Sequence, residues 1–212
     1  MNARTSIFGI LLLLSGFAAF SQEFIRFGVL AGGDYTTKVN VSDLAYANYR
    51  HTDDSKVGYV IGLVSEIALI KNISVQIEPE LLKAGSNDAS LIRDFTYINL
   101  PLELKFFGNK FLSPFIGGYY SYLTSFRVKG ENTGYKWVNQ NDFATHYDMG
   151  LNLGMSFKIS ERIRLNAKFI FGLVNSNTIS PSFHGTLPAI YIIPHKDYNR
   201  GLSLYLNYFF LK

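Results

Sequence analysis

Two acidic side chains, two residues apart, are the first candidates for chemistry in this chain. Glu78 and Glu80 stand in the stretch IEPEL, and neighbouring carboxylates can act as general acid and general base. In an extended strand this spacing puts both side chains on one face, where basic side chains can neutralise them. Because a buried carboxylate persists only when it is partnered, we expect a structural role for this pair.

A serine close to a histidine is the second candidate. Ser182 and His184 are two residues apart, and a nucleophile needs a base aligned beside it. Their segment contains several prolines and no feature that would hold the two side chains in alignment. His146 and Asp148 share one strand face, but no serine stands beside His146 at strand spacing. The sequence therefore predicts no catalytic residues, and we expect the protein not to be an enzyme.

The sequence also offers little for a metal, a cofactor or a nucleic acid. The histidines, at positions 51, 146, 184 and 195, show no close ligand spacing, and the chain has no cysteine, whereas zinc ligands are usually closely spaced. The net charge is only +4 and the basic residues are scattered, whereas nucleic-acid binding requires clustered positive charge. We expect no metal, no cofactor and no nucleic-acid partner.

The first 21 residues have the organisation of a secretory signal peptide. Arg4 precedes an apolar stretch from Ile7 to Phe20, and the small residues Ala19 and Ser21 form a cleavage pattern. The apolar stretch is shorter than the ~20 residues that a membrane-spanning helix needs. The sequence thus predicts a signal peptide at 1–21 and one folded domain at 22–212, which begins near Gln22 after cleavage.

Long alternating segments fill the rest of the chain. In YDMGLNLGMSFKIS, residues 147–160, large apolar residues alternate with small or polar ones, which is the period of a β-strand. Eight such segments are longer than the ~5–6 residues of an ordinary strand and long enough to cross a bilayer. The predicted strands are residues 24–35, 57–70, 73–84, 95–107, 112–126, 146–159, 163–174 and 200–211.

The connections between these strands alternate in length. Short turns are predicted at 71–72, 108–110 and 160–162, and long loops at 36–56, 85–94, 127–145 and 175–199. Short turns at one end and long loops at the other are typical of outer-membrane barrels. We therefore predict an all-β fold, an eight-stranded antiparallel up-and-down transmembrane β-barrel at residues 22–212. Its long loops should face the cell exterior.

The volume of the barrel interior decides which strand face points inward. One face is large and apolar, whereas the other is rich in glycine and serine. Since an eight-stranded barrel is only just wide enough for interior side chains, the apolar face must point outward, against outer-membrane lipid. The charged residues of the small face then form a salt-bridged plug in the lumen. They are Arg26, Asp34, Glu66, Glu78, Glu80, Glu103, Lys105, Asp148, Lys158, Arg164 and Lys168.

The last long loop contains an apolar run. Apolar residues exposed in a loop are costly unless something covers them. Two roles are open: a surface that binds other envelope proteins, or a segment that folds over the barrel mouth or extends the flanking strands. The candidate residues are Leu187, Ile190, Tyr191, Ile192 and Ile193, with Trp137 of the preceding loop.

Several stretches together resemble a known family. They are, in order, FGVLAGGDYTT, SVQIEPELLKAGS, YINLPLELKFF, SPFIGGYYSYL, YDMGLNLGMSFKIS, RLNAKFIFGL and RGLSLYLNYFF. Over essentially the whole mature chain, this series resembles the PorT-like outer-membrane β-barrel family of Bacteroidota. The resemblance implies an eight-stranded barrel in the outer membrane. The name-giving member takes part in type IX secretion, but that role is not carried over, because barrel motifs encode the fold.

The expected function is a non-enzymatic outer-membrane barrel with a structural or interaction role in the bacterial cell envelope. One form of this interaction role is an accessory role in a larger envelope or secretion complex. Two alternatives stay open. An outer-membrane hydrolase acting on lipid or peptide would need aligned catalytic side chains at the mouth, and a narrow passive channel would need a continuous water-filled lumen.

Overall fold

The computed structural model describes residues 25–44, 47–52, 54–88, 91–107, 111–130, 138–139, 146–174 and 195–210. Every regular element in these ranges is a β-strand, and none of them contains a helix long and apolar enough to cross a membrane. The strands are β1 (Ile25–Leu44), β2 (Ala47–Thr52), β3 (Asp54–Ile70), β4 (Ile73–Ile77), β5 (Glu80–Asp88), β6 (Leu91–Phe106), β7 (Leu112–Gly130), β8 (Val138–Asn139), β9 (Tyr147–Lys158), β10 (Ile163–Gly172) and β11 (His195–Phe209).

The strands close into a barrel because β1 has a partner on both edges. It pairs antiparallel with β3 on one side and with β11 on the other. β4 and β5 lie end to end and together occupy one position, between β3 and β6. Around the ring the order is β1, β3, this shared position, β6, β7, β9, β10 and β11. The ring therefore has eight positions, and the predicted eight-stranded antiparallel up-and-down barrel is confirmed.

Several strands continue beyond their predicted ends on the long-loop side. β1 runs to Leu44 and pairs there with β2, so a hairpin occupies much of the loop predicted at 36–56. β5 runs to Asp88 and β6 begins at Leu91, across most of the loop predicted at 85–94. These two loop predictions were wrong. An antiparallel sheet can face water, so main-chain pairing continues where the apolar alternation has ended.

Two prolines interrupt the hydrogen-bond ladder between strands without changing the strand register. Pro79 separates β4 from β5, yet both strands face β3 in one continuous register. The Pro79 carbonyl accepts a hydrogen bond from Leu63 N (2.9 Å), and the Pro101 carbonyl accepts one from Glu78 N (3.1 Å). Each proline removes one donor from the ladder while its acceptor stays bonded, so no bulge is needed there.

Burial along β9 shows which face of the wall points inward. Leu153 is 53% exposed, whereas Asn152 is 1% exposed and Gly154 is buried. The exposed side chains of the other strands continue this apolar band around the ring. Its members include Ile61, Leu63, Ile98, Leu100, Leu102, Ile116, Leu151, Met155, Phe169, Leu204 and Leu206. The predicted outward orientation of the apolar face is confirmed.

The lumen contains aromatic rings as well as the small residues expected there. Phe115 and Tyr119 of β7 are buried, and each stands directly opposite a glycine of β9. A β-carbon at Gly150 would collide with the Tyr119 ring, and one at Gly154 would collide with the Phe115 ring. The glycines of β9 therefore make room for large side chains of the neighbouring strand.

Replacing Leu153 by arginine should destabilise the barrel by ~2–4 kcal/mol in lipid, because the charge would face the middle of the apolar band. Ile159→Arg is the matched control: Ile159 is exposed just beyond the end of β9, and an arginine near the interface costs only about 0–1 kcal/mol. Denaturant unfolding in lipid vesicles measures both. Equal, small losses would mean that this face does not contact lipid.

Candidate functional site

Three buried carboxylates converge on one lysine inside the barrel. Lys168 Nζ lies 3.2 Å from Oε2 of Glu78, 3.5 Å from Oε1 of Glu103 and 3.8 Å from Oε1 of Glu80. All four residues are buried. Lys168 belongs to β10, on the other side of the ring from β4, β5 and β6. The contacts therefore cross the lumen and tie opposite walls together.

A second group of charges surrounds Glu66 of β3. The Arg164 guanidinium donates through one nitrogen to both carboxylate oxygens, at 3.0 and 3.3 Å, and Lys105 Nζ lies 3.8 Å from Oε2. Ser74 Oγ donates to Oε1 at 3.2 Å. The carboxylate therefore has two cationic partners and one neutral donor.

Gln76 connects the two groups of charges. Its amide nitrogen donates to Oε1 of Glu78 at 2.5 Å, and its amide oxygen accepts a hydrogen bond from Lys105. The side chains form one continuous structure, which we call the lumen charge network. Its charged members are Glu66, Glu78, Glu80, Glu103, Lys105, Arg164 and Lys168.

Neutral side chains add hydrogen bonds to three of the carboxylates. The donors are Tyr205 to Glu78 (3.0 Å), Asn99 to Glu80 (2.5 Å) and Asn152 to Glu103 (3.3 Å). The network contains more acids than bases, so the cations leave part of the negative charge unbalanced. The neutral donors bind carboxylate oxygens that carry this charge. A hydrogen bond to a charged group is stronger than one between neutral groups. Sequence analysis named none of the three as a donor to a carboxylate, although strand alternation places all three inward.

Asp34 and Asp148 are buried as predicted, but neutral side chains hold them. Asp34 accepts a hydrogen bond from Ser203. Asp148 accepts one from the Tyr119 hydroxyl and one from the Asn199 amide, both at 2.8 Å. They extend the polar lining of the lumen.

Two other predicted lumen charges lie near the short-turn end. The ammonium of Lys158 binds Glu161 at 2.6 Å, in the turn that follows β9. Lys158 is the last residue of β9 and stands opposite the buried Arg164, so strand alternation keeps it on the inward face, but its ion pair is with the turn and not with the plug. Arg26 is half-buried, with its guanidinium 6.0 Å from the centre of the Phe209 ring.

Lys38 is an inward charge that sequence analysis did not include. It is 2% exposed, and its ammonium lies 4.2 Å from the centre of the Phe95 ring. The signal was the alternation in TTKVNV, residues 36–41, which was assigned to a loop. The extension of β1 carries this lysine into the lumen.

A small cavity adjoins the network on the long-loop side. Its volume is about 30 Å³, roughly the space that one water occupies in the liquid. Lys38, Tyr97, Tyr119, Asp148 and Arg200 are among its lining residues. The cavity can hold water.

The described residues place no aligned nucleophile in the lumen. Ser74 donates to Glu66 and Ser121 donates to Asn99, so these hydroxyls serve an acid and an amide. His146 is exposed beside Tyr122, with 6.2 Å between ring centres. It therefore does not share the buried face of Asp148, contrary to the sequence pattern. In the same part of the chain, no cluster of three or more His, Cys, Asp or Glu side chains could hold a metal ion.

The predicted partner-binding residues lie outside the described residues. They are Trp137, Leu187, Ile190, Tyr191, Ile192 and Ile193, and Ser182 and His184 lie outside them as well.

Comparison with known proteins gives a family and a fold. A family model described as "Outer membrane protein beta-barrel domain" matches residues 20–177, and no curated protein matches the chain. Neisserial surface protein A is 15% identical with a TM-score of 0.53, over 87% of this chain and 97% of that one. Ail, the attachment invasion locus protein of Yersinia pestis, is 12% identical with a TM-score of 0.45, over 87% and 98%. E. coli outer membrane protein W is 14% identical with a TM-score of 0.37, over 89% and 100%. At 15% identity, the similarity to Neisserial surface protein A shows the fold alone.

Replacing Lys168 by methionine should lower the free energy of unfolding by about 3–5 kcal/mol, because three buried carboxylates would lose their shared cation. Lys158→Met is the matched control, since its exposed pair with Glu161 should contribute only about 0–1 kcal/mol. Urea unfolding of both variants in vesicles makes the comparison. Similar stabilities for the two would contradict the role given to Lys168.

Proposed function

We propose, from the premise that this chain belongs to the outer membrane protein beta-barrel domain family, that it is a non-enzymatic barrel with a structural or interaction role in the cell envelope. As a member of that family, it lies in the outer membrane. The observation that carries the proposal is the lumen charge network, whose buried side chains bond to one another across the barrel.

The network favours a closed scaffold over a narrow passive channel. Lys168 and the three carboxylates around it join opposite walls across the lumen. A passing ion would have to separate these charges in a region of low dielectric, where their attraction is strong. Selection for conduction would instead favour a wide polar lumen, as in larger barrels.

The bonding of the lumen also weighs against a hydrolase acting on lipid or peptide. Glu78 and Glu80, the pair with the spacing of an acid and a base, are both bonded to lysine, amide or phenol groups. Catalysis requires a reacting group within reach of substrate, whereas these carboxylates are buried inside the plug. The two glutamates therefore fit a structural role.

The strand extensions supply the surface for an interaction role. Beyond the apolar band, β1 and β2 form a hairpin. There β5 continues to Asp88 and stays paired with β6, which begins at Leu91. A rigid sheet of this kind can present connecting loops to other envelope proteins. We infer that Trp137 and the apolar run from Leu187 to Ile193 bind such a partner, including one in a larger envelope or secretion complex.

A narrower assignment rests on the sequence. We infer that the chain is a PorT-like member from Bacteroidota, supported by PELL at residues 79–82 and INLPLELK at residues 98–105. The signal pattern supports export and cleavage near Gln22.

The folded protein should add no steady conductance to a planar lipid bilayer. The double variant Glu78→Ala/Lys168→Ala removes one cation with one anion, so it should widen the lumen without changing its net charge and should conduct. Lys158→Ala/Glu161→Ala removes the exposed pair of the short turn and should behave like the wild type. A steady current through the wild-type protein would refute the closed scaffold and favour the channel.

The triple variant Ile190→Ser/Tyr191→Ser/Ile192→Ser should keep the heat-dependent gel shift of the folded barrel but lose co-purifying envelope proteins, because a few apolar anchors carry most of an interface's energy. Thr178→Ala/Ser180→Ala/Ser182→Ala, in the same segment, is the control and should keep them. A triple serine variant that loses thermal stability but retains every partner would show that these residues cover the mouth instead.

A further inference from the structure

One buried carboxylate oxygen near the long-loop end of the lumen has no hydrogen-bond donor. Asp148 is only 3% exposed. Its Oδ2 accepts hydrogen bonds from the Tyr119 hydroxyl and the Asn199 amide, both at 2.8 Å. Its Oδ1 is buried and accepts none in the part of the chain that the structure describes. A buried acceptor without a donor costs free energy, so Oδ1 requires a donor that these side chains do not supply.

The small cavity on the long-loop side lies beside this carboxylate. Asp148, Tyr119 and Asn199 all line it. Because Asp148 is buried, a donor reaches Oδ1 from this cavity and not from the surface of the barrel. The cavity volume of about 30 Å³ exceeds the ~10–15 Å³ that one water needs. The space therefore suits a very small molecule.

Basic side chains line the same cavity. They are Lys38 and Arg200. Lys38 is 2% exposed, and its ammonium lies 4.2 Å from the centre of the Phe95 ring, which also lines the cavity. The two bases would repel a cation, and Asp148 would repel an anion. The cavity therefore suits a neutral group that both donates and accepts hydrogen bonds.

The acid and the buried base come from separate parts of the ring. Lys38 belongs to the extension of β1, and Asp148 lies near the start of β9. β10 and β11 separate these two strands in the sheet, so no main-chain hydrogen bonds join them. A group held between the two side chains would connect the walls at the long-loop end of the lumen.

We propose that the cavity binds an ordered water molecule, which donates a hydrogen bond to Oδ1 of Asp148 and accepts one from the Lys38 ammonium. Water is neutral, fits the volume and makes about three hydrogen bonds when it is buried. A bridging water is nearly as favourable in enthalpy as a direct hydrogen bond. The bridge fastens the extension of β1 to β9. The inference goes beyond the proposed function, because it holds for a closed scaffold and for a channel alike.

Nuclear Overhauser effects between water and methyl protons test the site directly. The folded protein is labelled at its isoleucine, leucine and valine methyl groups and measured in detergent micelles. Ile170 and Leu82 line the cavity, whereas Leu30 and Val64 are buried but do not line it. The wild type should show water signals at the first two residues and none at the other two. No water signal at Ile170 would overturn the proposal.

Two substitutions of Asp148 form a matched pair for the same measurement. Asp148→Leu replaces the carboxylate by an apolar group and should abolish the water signal at Ile170. Asp148→Asn keeps a side-chain oxygen and should retain the signal. A signal that is unchanged in Asp148→Leu would overturn the assignment of Asp148 as the acceptor. A heat-dependent gel shift verifies that both variants fold.

A double-mutant cycle in urea unfolding tests the bridge to Lys38, and it decides the matter if Asp148→Leu does not fold. For Lys38→Met with Asp148→Asn, the unfolding constant of the double variant should be about threefold smaller than additivity predicts. The control cycle pairs Lys38→Met with Asp34→Asn. These residues are four positions apart on β1, roughly 13 Å, where effects usually add. Additive losses in the first cycle, or equal coupling in both cycles, would overturn the bridge.

Discussion

Main-chain hydrogen bonding inside a membrane is the constraint from which the rest of this structure follows. No water is available there, so each unpaired N–H or C=O group costs several kcal/mol. The pairing of β1 with both β3 and β11 closes the ladder. Even at Pro79 and Pro101 the carbonyl groups remain bonded. Closure makes a second demand, because a ring of eight strands encloses a narrow space that side chains must fill.

The lumen charge network is the response to that narrow space. Glycines of β9 admit the rings of Phe115 and Tyr119, and polar side chains fill the region around Lys168. A buried ion pair is costly to desolvate and is sustained only when its remaining hydrogen-bonding groups are satisfied. Amide and phenol donors from several strands meet part of this requirement. The side chains of the polar lumen therefore connect opposite walls of the barrel, whereas main-chain hydrogen bonds connect only neighbouring strands.

The charged side chains of the lumen and those around Asp94 differ in their balance. Inside, four acids meet three bases, and neutral donors of the protein bind some of the remaining carboxylate oxygens. On the long-loop side, Asp94 contacts three basic side chains, Lys56, Lys83 and Arg127, from β3, β5 and β7. In both places, the pairing of neighbouring strands brings together charges that lie far apart in the sequence.

The eight strands, the short turns at 71–72 and 160–162 and the orientation of the faces followed from the sequence, because a period of two and the volumes of side chains are local properties. The inward positions of Glu78, Glu80, Glu103 and Lys168 followed from the same rule. The hairpin of β1 and β2, the pairing of Lys158 with Glu161 and the contacts around Asp94 did not. Which charges meet depends on the stagger of strands around the closed ring, and that stagger brings together residues such as Glu66 and Arg164, which no local pattern of the chain connects.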